Sequence, residues 1–150
     1  MKIQLRDVLC LSGRDYVVEG LVSMEVAGKT SLAARAVDGA EVLWIESAAS
    51  AVSAASDRLL VLHQIKDLDL SPPPPESINY HGVPYVLRLS GRATLVVSGV
   101  VPERATGPAQ IWRYHTAGDL HLQIEEKDGR LLMLAGQTVL RGMIDLLPGH

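Results

Sequence analysis

Phenylalanine is absent from this chain of 150 residues and aromatics make up only 4% of it, so aliphatic side chains must fill any core. The one cysteine, Cys10, excludes an internal disulfide. Its place between Leu9 and Leu11 reads as a small apolar core thiol and not as a reactive nucleophile. No run approaches the roughly 18–20 apolar residues that cross a bilayer as a helix, so membrane insertion is not expected. The opening residues reach the charged pair Arg6-Asp7 before any apolar segment, which argues against a secretory signal and makes the cytoplasm the expected location. Basic residues are interspersed with acidic ones at a net charge of −3, with no Lys/Arg cluster. That disfavours nucleic acid and anionic lipid as partners.

What is present is β patterning. With 47% hydrophobic and 21% charged residues, the chain has the composition of a globular protein. Residues 1–150 are long enough for a single domain that buries about 70% of its unfolded surface. Alternating, β-branched segments occur at Tyr16–Val22, Leu32–Val37, Glu41–Ile45, Leu59–Ile65, Tyr85–Leu89, Thr94–Val97, Ile111–His115, Leu120–Ile124, Leu131–Leu134 and Val139–Ile144. Turn residues separate them: Ser12-Gly13-Arg14-Asp15, Asp38-Gly39, Ser90-Gly91-Arg92, Ser98-Gly99, Gly118-Asp119 and Asp128-Gly129. Short strands at this spacing predict a mostly β fold, a sandwich or a barrel. The Ala- and Ser-rich stretch Ser47–Asp57 is compatible with a short helix or with a loop.

Four prolines, Pro72 to Pro75, lie near the midpoint and predict an extended bridge outside any sheet. On either side the chain looks alike, in halves of about 1–70 and 76–150. Gly13-Arg14-Asp15-Tyr16-Val17-Val18 matches Gly82-Val83-Pro84-Tyr85-Val86-Leu87 at a spacing of 69, and Val42-Leu43-Trp44-Ile45 pairs with Gln110-Ile111-Trp112-Arg113 at 68. The expectation is two related antiparallel β-meanders packed on each other, with Trp44 and Trp112 in equivalent places.

The string Gly13-x-x-Tyr16-Val17-Val18-Glu19-Gly20, followed by Leu43-Trp44-Ile45-Glu46, resembles the first half of the bacterial DUF4178 family. The second half agrees through Tyr80-His81-Gly82-x-x-Tyr85, Gly91-x-Ala93, Ile111-Trp112-Arg113-Tyr114, Ile124-Glu125, Asp128-Gly129 and Gly136. These motifs are turn glycines and strand aromatics, so the resemblance implies a fold and carries no established activity. Two departures stand out. Arg6-Asp7 replaces an opening Gly-Asp, and Lys29-Thr30-Ser31-Leu32-Ala33 replaces an aromatic-bearing stretch.

Chemistry-bearing constellations are sparse. His115 and His121 flank a turn that can bring them together, and His81 can approach in space, but no HxH, HxxxH or CxxC spacing supplies a metal-ligand set. Asp67 and Asp69 share a face if the segment is a strand, yet no calcium-loop pattern surrounds them. Glu125 and Glu126 read as a solvated edge. No Gly-x-Ser-x-Gly elbow and no phosphate loop occurs. No catalytic residue, cofactor or metal is therefore expected. Two functions are open: a non-enzymatic interaction module that binds another protein or a second copy through a strand edge or apolar patch, or a small-molecule binding module. The second would place a pocket between the halves near Trp44 and Trp112, with Tyr16 and Tyr85 as further candidate ligand-binding residues.

Overall fold

The computed structural model describes residues 3–47 and 58–149, so nearly all of Ser47–Asp57 lies outside the described residues. Among the described residues eleven antiparallel strands follow in order: β1 (Val8–Leu11), β2 (Arg14–Val26), β3 (Lys29–Asp38), β4 (Glu41–Ser47), β5 (Arg58–Gln64), β6 (Ser77–Tyr80), β7 (Val83–Gly99), β8 (Gly107–His115), β9 (Leu120–Lys127), β10 (Arg130–Leu140) and β11 (Ile144–Leu147). A 3-10 turn, Arg141–Met143, joins the last two. Pairing runs β11-β1-β2-β3-β4-β5-β10-β9-β8-β7-β6, and a further β2–β7 ladder closes eight of these strands into a barrel. The mostly β, antiparallel expectation holds, and the architecture is the barrel. Among the described residues no helix is long and apolar enough to cross a membrane.

Turn chemistry explains the hairpins. Ser12-Gly13, Ala27-Gly28, His81-Gly82 and Asp128-Gly129 each hold both residues at positive φ, the conformation whose twist matches that of antiparallel strands. Asp38-Gly39 is displaced by one residue: Asp38 ends β3 opposite Glu41, and Gly39-Ala40 makes the turn. Ser90-Gly91-Arg92 is not a turn. β7 runs through it unbroken, with Gly91 opposite Ile111, because a glycine inside a barrel strand lets the strand bend without ending. The short strand β1 puts Leu9 into the core and turns Cys10 to the other face, half-buried between Asp15 and Asp145. Cys10 is therefore not a core thiol.

Two bulges shape the barrel. In β2 the register against β3 shifts between Val18 and Gly20, and in β7 the register against β8 shifts between Leu87 and Leu89. A bulge adds one residue and so reverses which side chains face inward. Before its bulge β2 pairs with β1, and beyond it β2 pairs with β7. β7 likewise leaves β6 for β2. The bulges lie 69 residues apart, as do the Ser12-Gly13 and His81-Gly82 turns, and Tyr16 against Leu9 corresponds to Tyr85 against Ile78.

Three apolar clusters result. The barrel interior holds Val22, Met24, Ala33, Trp44, Leu62, Leu95, Ile111 and Leu134. One outer core, under β1 and β11, contains Leu9, Tyr16, Val18, Ile45 and Ile144. The other, next to β6 and residues 65–70, contains Ile65, Ile78, Tyr85, Trp112, Tyr114 and Ile124. The proline bridge lies outside the sheet. Pro74 is buried, and the Pro75 carbonyl accepts a 2.8 Å hydrogen bond from the Tyr114 hydroxyl.

Candidate functional site

Trp44 and Trp112 do not share a cavity. Trp44 is 1% exposed inside the barrel, whereas Trp112 is 8% exposed in the outer core beside β6. Nor do they occupy equivalent positions. Trp44 on β4 faces Arg35 on β3, and the matching pair on β9 and β8 is Gln123 with Arg113. The counterpart of Trp44 is thus Gln123. Tyr16 and Tyr85 do correspond, but each is buried in a different outer core.

Strand register and parity bring together what periodicity alone did not: a set of charged and polar side chains on the inner wall. Arg35 and Arg113 occupy matched places on β3 and β8, and Glu46 and Glu125 occupy matched places on β4 and β9. At the barrel end closed by residues 100–106, Arg35 donates to Glu103 at 2.8 and 2.9 Å and to Glu19, the bulge residue of β2, at 3.2 Å. Arg104 enters beneath them and donates to Glu125 at 2.5 Å, with both side chains almost fully buried. Its guanidinium lies over the Trp44 ring. Glu125 is therefore not on a solvated edge: β9 presents it inward, and the loop supplies its cation. A cleft of about 370 Å³ opens here, lined by Glu103, Arg104, Glu125, Lys127 and Arg130 among others.

The opposite end carries Arg113, Glu46, Gln123 and His121. Arg113 donates to Glu46. His115 and His121 face each other across β8 and β9, as their flanking of a turn predicts. Burial holds His121 below the ordinary histidine value, with Arg88 and His115 adding to the effect and Asp119 and Glu46 opposing it. The sequence signal for this wall was clearest in β9, where His121, Gln123 and Glu125 alternate with Leu122 and Ile124.

On the outer surface Asp67 accepts hydrogen bonds from Tyr80 Oη at 2.6 Å and pairs with His81 Nε2 at 2.6 Å, and the two rings stack 4.1 Å apart. Asp67 lies outside the strands, so it and Asp69 share no strand face. The Tyr80 and His81 contacts hold its carboxyl below the usual range. His81 goes to Asp67 and not toward the other histidines. Among the described residues no group of three or more His, Cys, Asp or Glu side chains could hold a metal ion.

A second surface is apolar. Leu147 on β11, Val8 on β1, Val17 on β2 and Val37 on β3 are successive cross-strand partners, so they form one row on one face of the sheet. Leu147 is 53% exposed and Val17 43%. The next row is Asp145, Cys10 and Asp15. In the other half the corresponding row is Ser77, Val86 and His115, so the aliphatic run belongs to the first half alone. Among the described strands β11 pairs only with β1, which leaves its outer edge unpaired.

No curated protein and no solved structure matches the chain. A family model does, over residues 4–141, and by that match the chain belongs to the DUF4178 family, a domain of unknown function.

Proposed function

We propose that the protein is a non-enzymatic interaction module that takes an extended segment of another protein as an additional strand along β11. The observation that carries this reading is the aliphatic row Leu147–Val8–Val17–Val37, which leads up to an unpaired strand edge. Main-chain hydrogen bonds along an edge supply affinity, and the side chains beside it supply selectivity. The edge strand carries one carboxylate, Asp145, and no lysine, so it lacks the lysine blocking that protects many edges. Asp145 and Asp15 border the apolar row, which favours a partner that alternates aliphatic and basic residues. A second copy would bring the same carboxylates toward each other, so a different chain is the better occupant. We read the matched bulges and turns of the two halves as an internal duplication, of which the first half kept the apolar row. The alternative of a pocket at Trp44 and Trp112 has less support, because the two indoles are buried in separate cores.

The test is titration of isotope-labelled protein with a short synthetic peptide of alternating valine and lysine, followed by NMR. Saturable shifts confined to β11, β1 and the start of β2 are expected, with binding at least about tenfold weaker in Val17→Lys and Leu147→Lys. Shifts spread elsewhere, or equal binding of a valine–glutamate peptide, would refute the reading. Sedimentation of the protein alone decides the rival occupant: a concentration-dependent dimer abolished by Val17→Lys assigns the face to a second copy.

A further inference from the structure

In the cleft beside the 100–106 loop, charge is left over. Its volume of about 370 Å³ falls within the roughly 300–1,000 Å³ of small-molecule sites. Six charged side chains line it, Arg104, Lys127 and Arg130 against Glu103, Glu125 and Asp128. Two of the carboxylates are already engaged. Glu125 takes the Arg104 guanidinium, and both side chains are almost fully buried. Glu103 takes Arg35 through both of its oxygens, at 2.8 and 2.9 Å, from outside the lining. Arg35 also reaches Glu19, which is not part of the cleft wall. What remains is Lys127 and Arg130 against Asp128.

The two remaining cations are forced together by register. Lys127 of β9 and Arg130 of β10 are direct cross-strand partners on the face that also carries Glu125 and Leu132. Like charges set opposite each other in an antiparallel pair destabilise it. Among the described residues neither cation forms an ion pair with a carboxylate. The backbone also positions Lys127. Its Nζ donates to the Pro108 carbonyl at 3.1 Å and passes Gly107, where a Cβ would stand 2.7 Å from it. That contact uses one of the three ammonium donors and leaves two. Beside the cations, Leu132 is buried, and with Pro102 and Ala105 of the loop it supplies an apolar wall.

We infer that this cleft binds a small organic monoanion, a carboxylate on a short aliphatic body. The planar Arg130 fork and the Lys127 ammonium hold the carboxylate oxygens, and the body lies against Leu132, Pro102 and Ala105. One negative charge is the match, because Asp128 cancels one of the two free cations. A dianion would exceed that balance and meet the Glu103 and Glu125 carboxylates, and a neutral molecule would leave the Lys127–Arg130 repulsion unrelieved. This site is separate from the β11 edge and does not depend on it.

Butyrate, its neutral analogue butyramide and the dianion succinate serve as probes, each titrated at constant ionic strength into isotope-labelled protein. NMR follows the Arg130 Nε–H signal and the backbone amides of residues 103–107 and 125–132. Saturable shifts confined to these signals are expected with butyrate. Lys127→Gln and, independently, Arg130→Gln remove no core side chain, and each is expected to weaken butyrate binding about tenfold. Arg58→Gln makes the same charge change beside Asp119, at the other end of β9 from Lys127, and should leave binding unchanged. An equal loss in Arg58→Gln would show that net charge alone attracts the anion and would overturn the site. Butyrate binding that survives both cleft substitutions would overturn the assignment to Lys127 and Arg130. Preference for succinate or for butyramide would overturn the ligand class, and absence of saturation with all three would overturn the site itself.

Discussion

The Arg104 guanidinium carbon stands 4.9 Å from the centroid of the Trp44 ring. A loop residue thereby caps the barrel, with the indole face turned toward the cation. Glu125 completes the arrangement from β9. Removing one partner of a buried pair strands the other charge, so Arg104→Met is expected to lower stability by about 3–5 kcal/mol. The double change Arg104→Met with Glu125→Leu should recover most of that loss. Urea denaturation of both variants checks it: equal destabilisation of single and double variants would show that packing around Trp44, and not the stranded carboxylate, sets the cost.

Close backbone approach gives a second prediction. A Cβ built on Gly136 would lie 1.8 Å from the Val61 carbonyl oxygen and 2.9 Å from the Leu62 Cα, so β5 and β10 pass too near each other for any side chain. Gly136→Ala must push the two strands apart, and a loss of about 3 kcal/mol is expected. The control is Gly142→Ala, where a Cβ meets nothing within 4 Å and denaturation should be nearly unchanged.

The hairpins were legible because Ser12-Gly13 and Asp128-Gly129 announce their backbone conformation, and the strands because alternation is a one-dimensional signal. The bulges at Glu19 and Arg88 were not. A bulge leaves no residue signature, yet it reverses the parity of everything that follows in its strand. That is why Val18 of β2 packs into the outer core under β1 while Val22, four residues on, packs into the barrel interior. The tryptophans misled for a related reason: matching by residue identity aligned Trp44 with Trp112, whereas register aligns Trp44 with Gln123. Glu125 looked solvated because its cation, Arg104, comes from a loop 21 positions away. The inner-wall site was thus invisible until strand order fixed which charged residues face each other.

The Tyr80–Asp67 contact predicts an alkaline signature. Burial first, then Asp67, pushes the Tyr80 hydroxyl up to about 12. A phenol whose folded value exceeds its unfolded one stabilises the fold fully below the unfolded value of about 10, and that contribution is lost as pH rises through the folded value. Burial also raises Tyr16, Tyr85 and Tyr114, so ultraviolet titration of tyrosinate should run late for all four groups, and Asp67→Asn should bring one of them forward. An unchanged titration curve in Asp67→Asn would mean that the contact does not persist in solution.

His121 supplies the acid counterpart, and the sign is opposite. Burial is the main cause of its depressed value, Arg88 from the β7 bulge and His115 from β8 push the same way, and Asp119 and Glu46 resist. The folded state therefore binds a proton at this ring less readily than the unfolded chain, whose histidines titrate near 6.5. Stability from neutral His121 is present above that unfolded value and is lost as pH falls through the folded one. Between about pH 7 and about pH 5 the urea midpoint should fall, and His121→Gln, which cannot titrate, should flatten that limb. Glu46→Gln sharpens the test: removing a carboxylate that opposes the depression should move the His121 ring signals to still lower titration in NMR. A rise instead would show that Glu46 acts on His121 only by holding Arg113 in place.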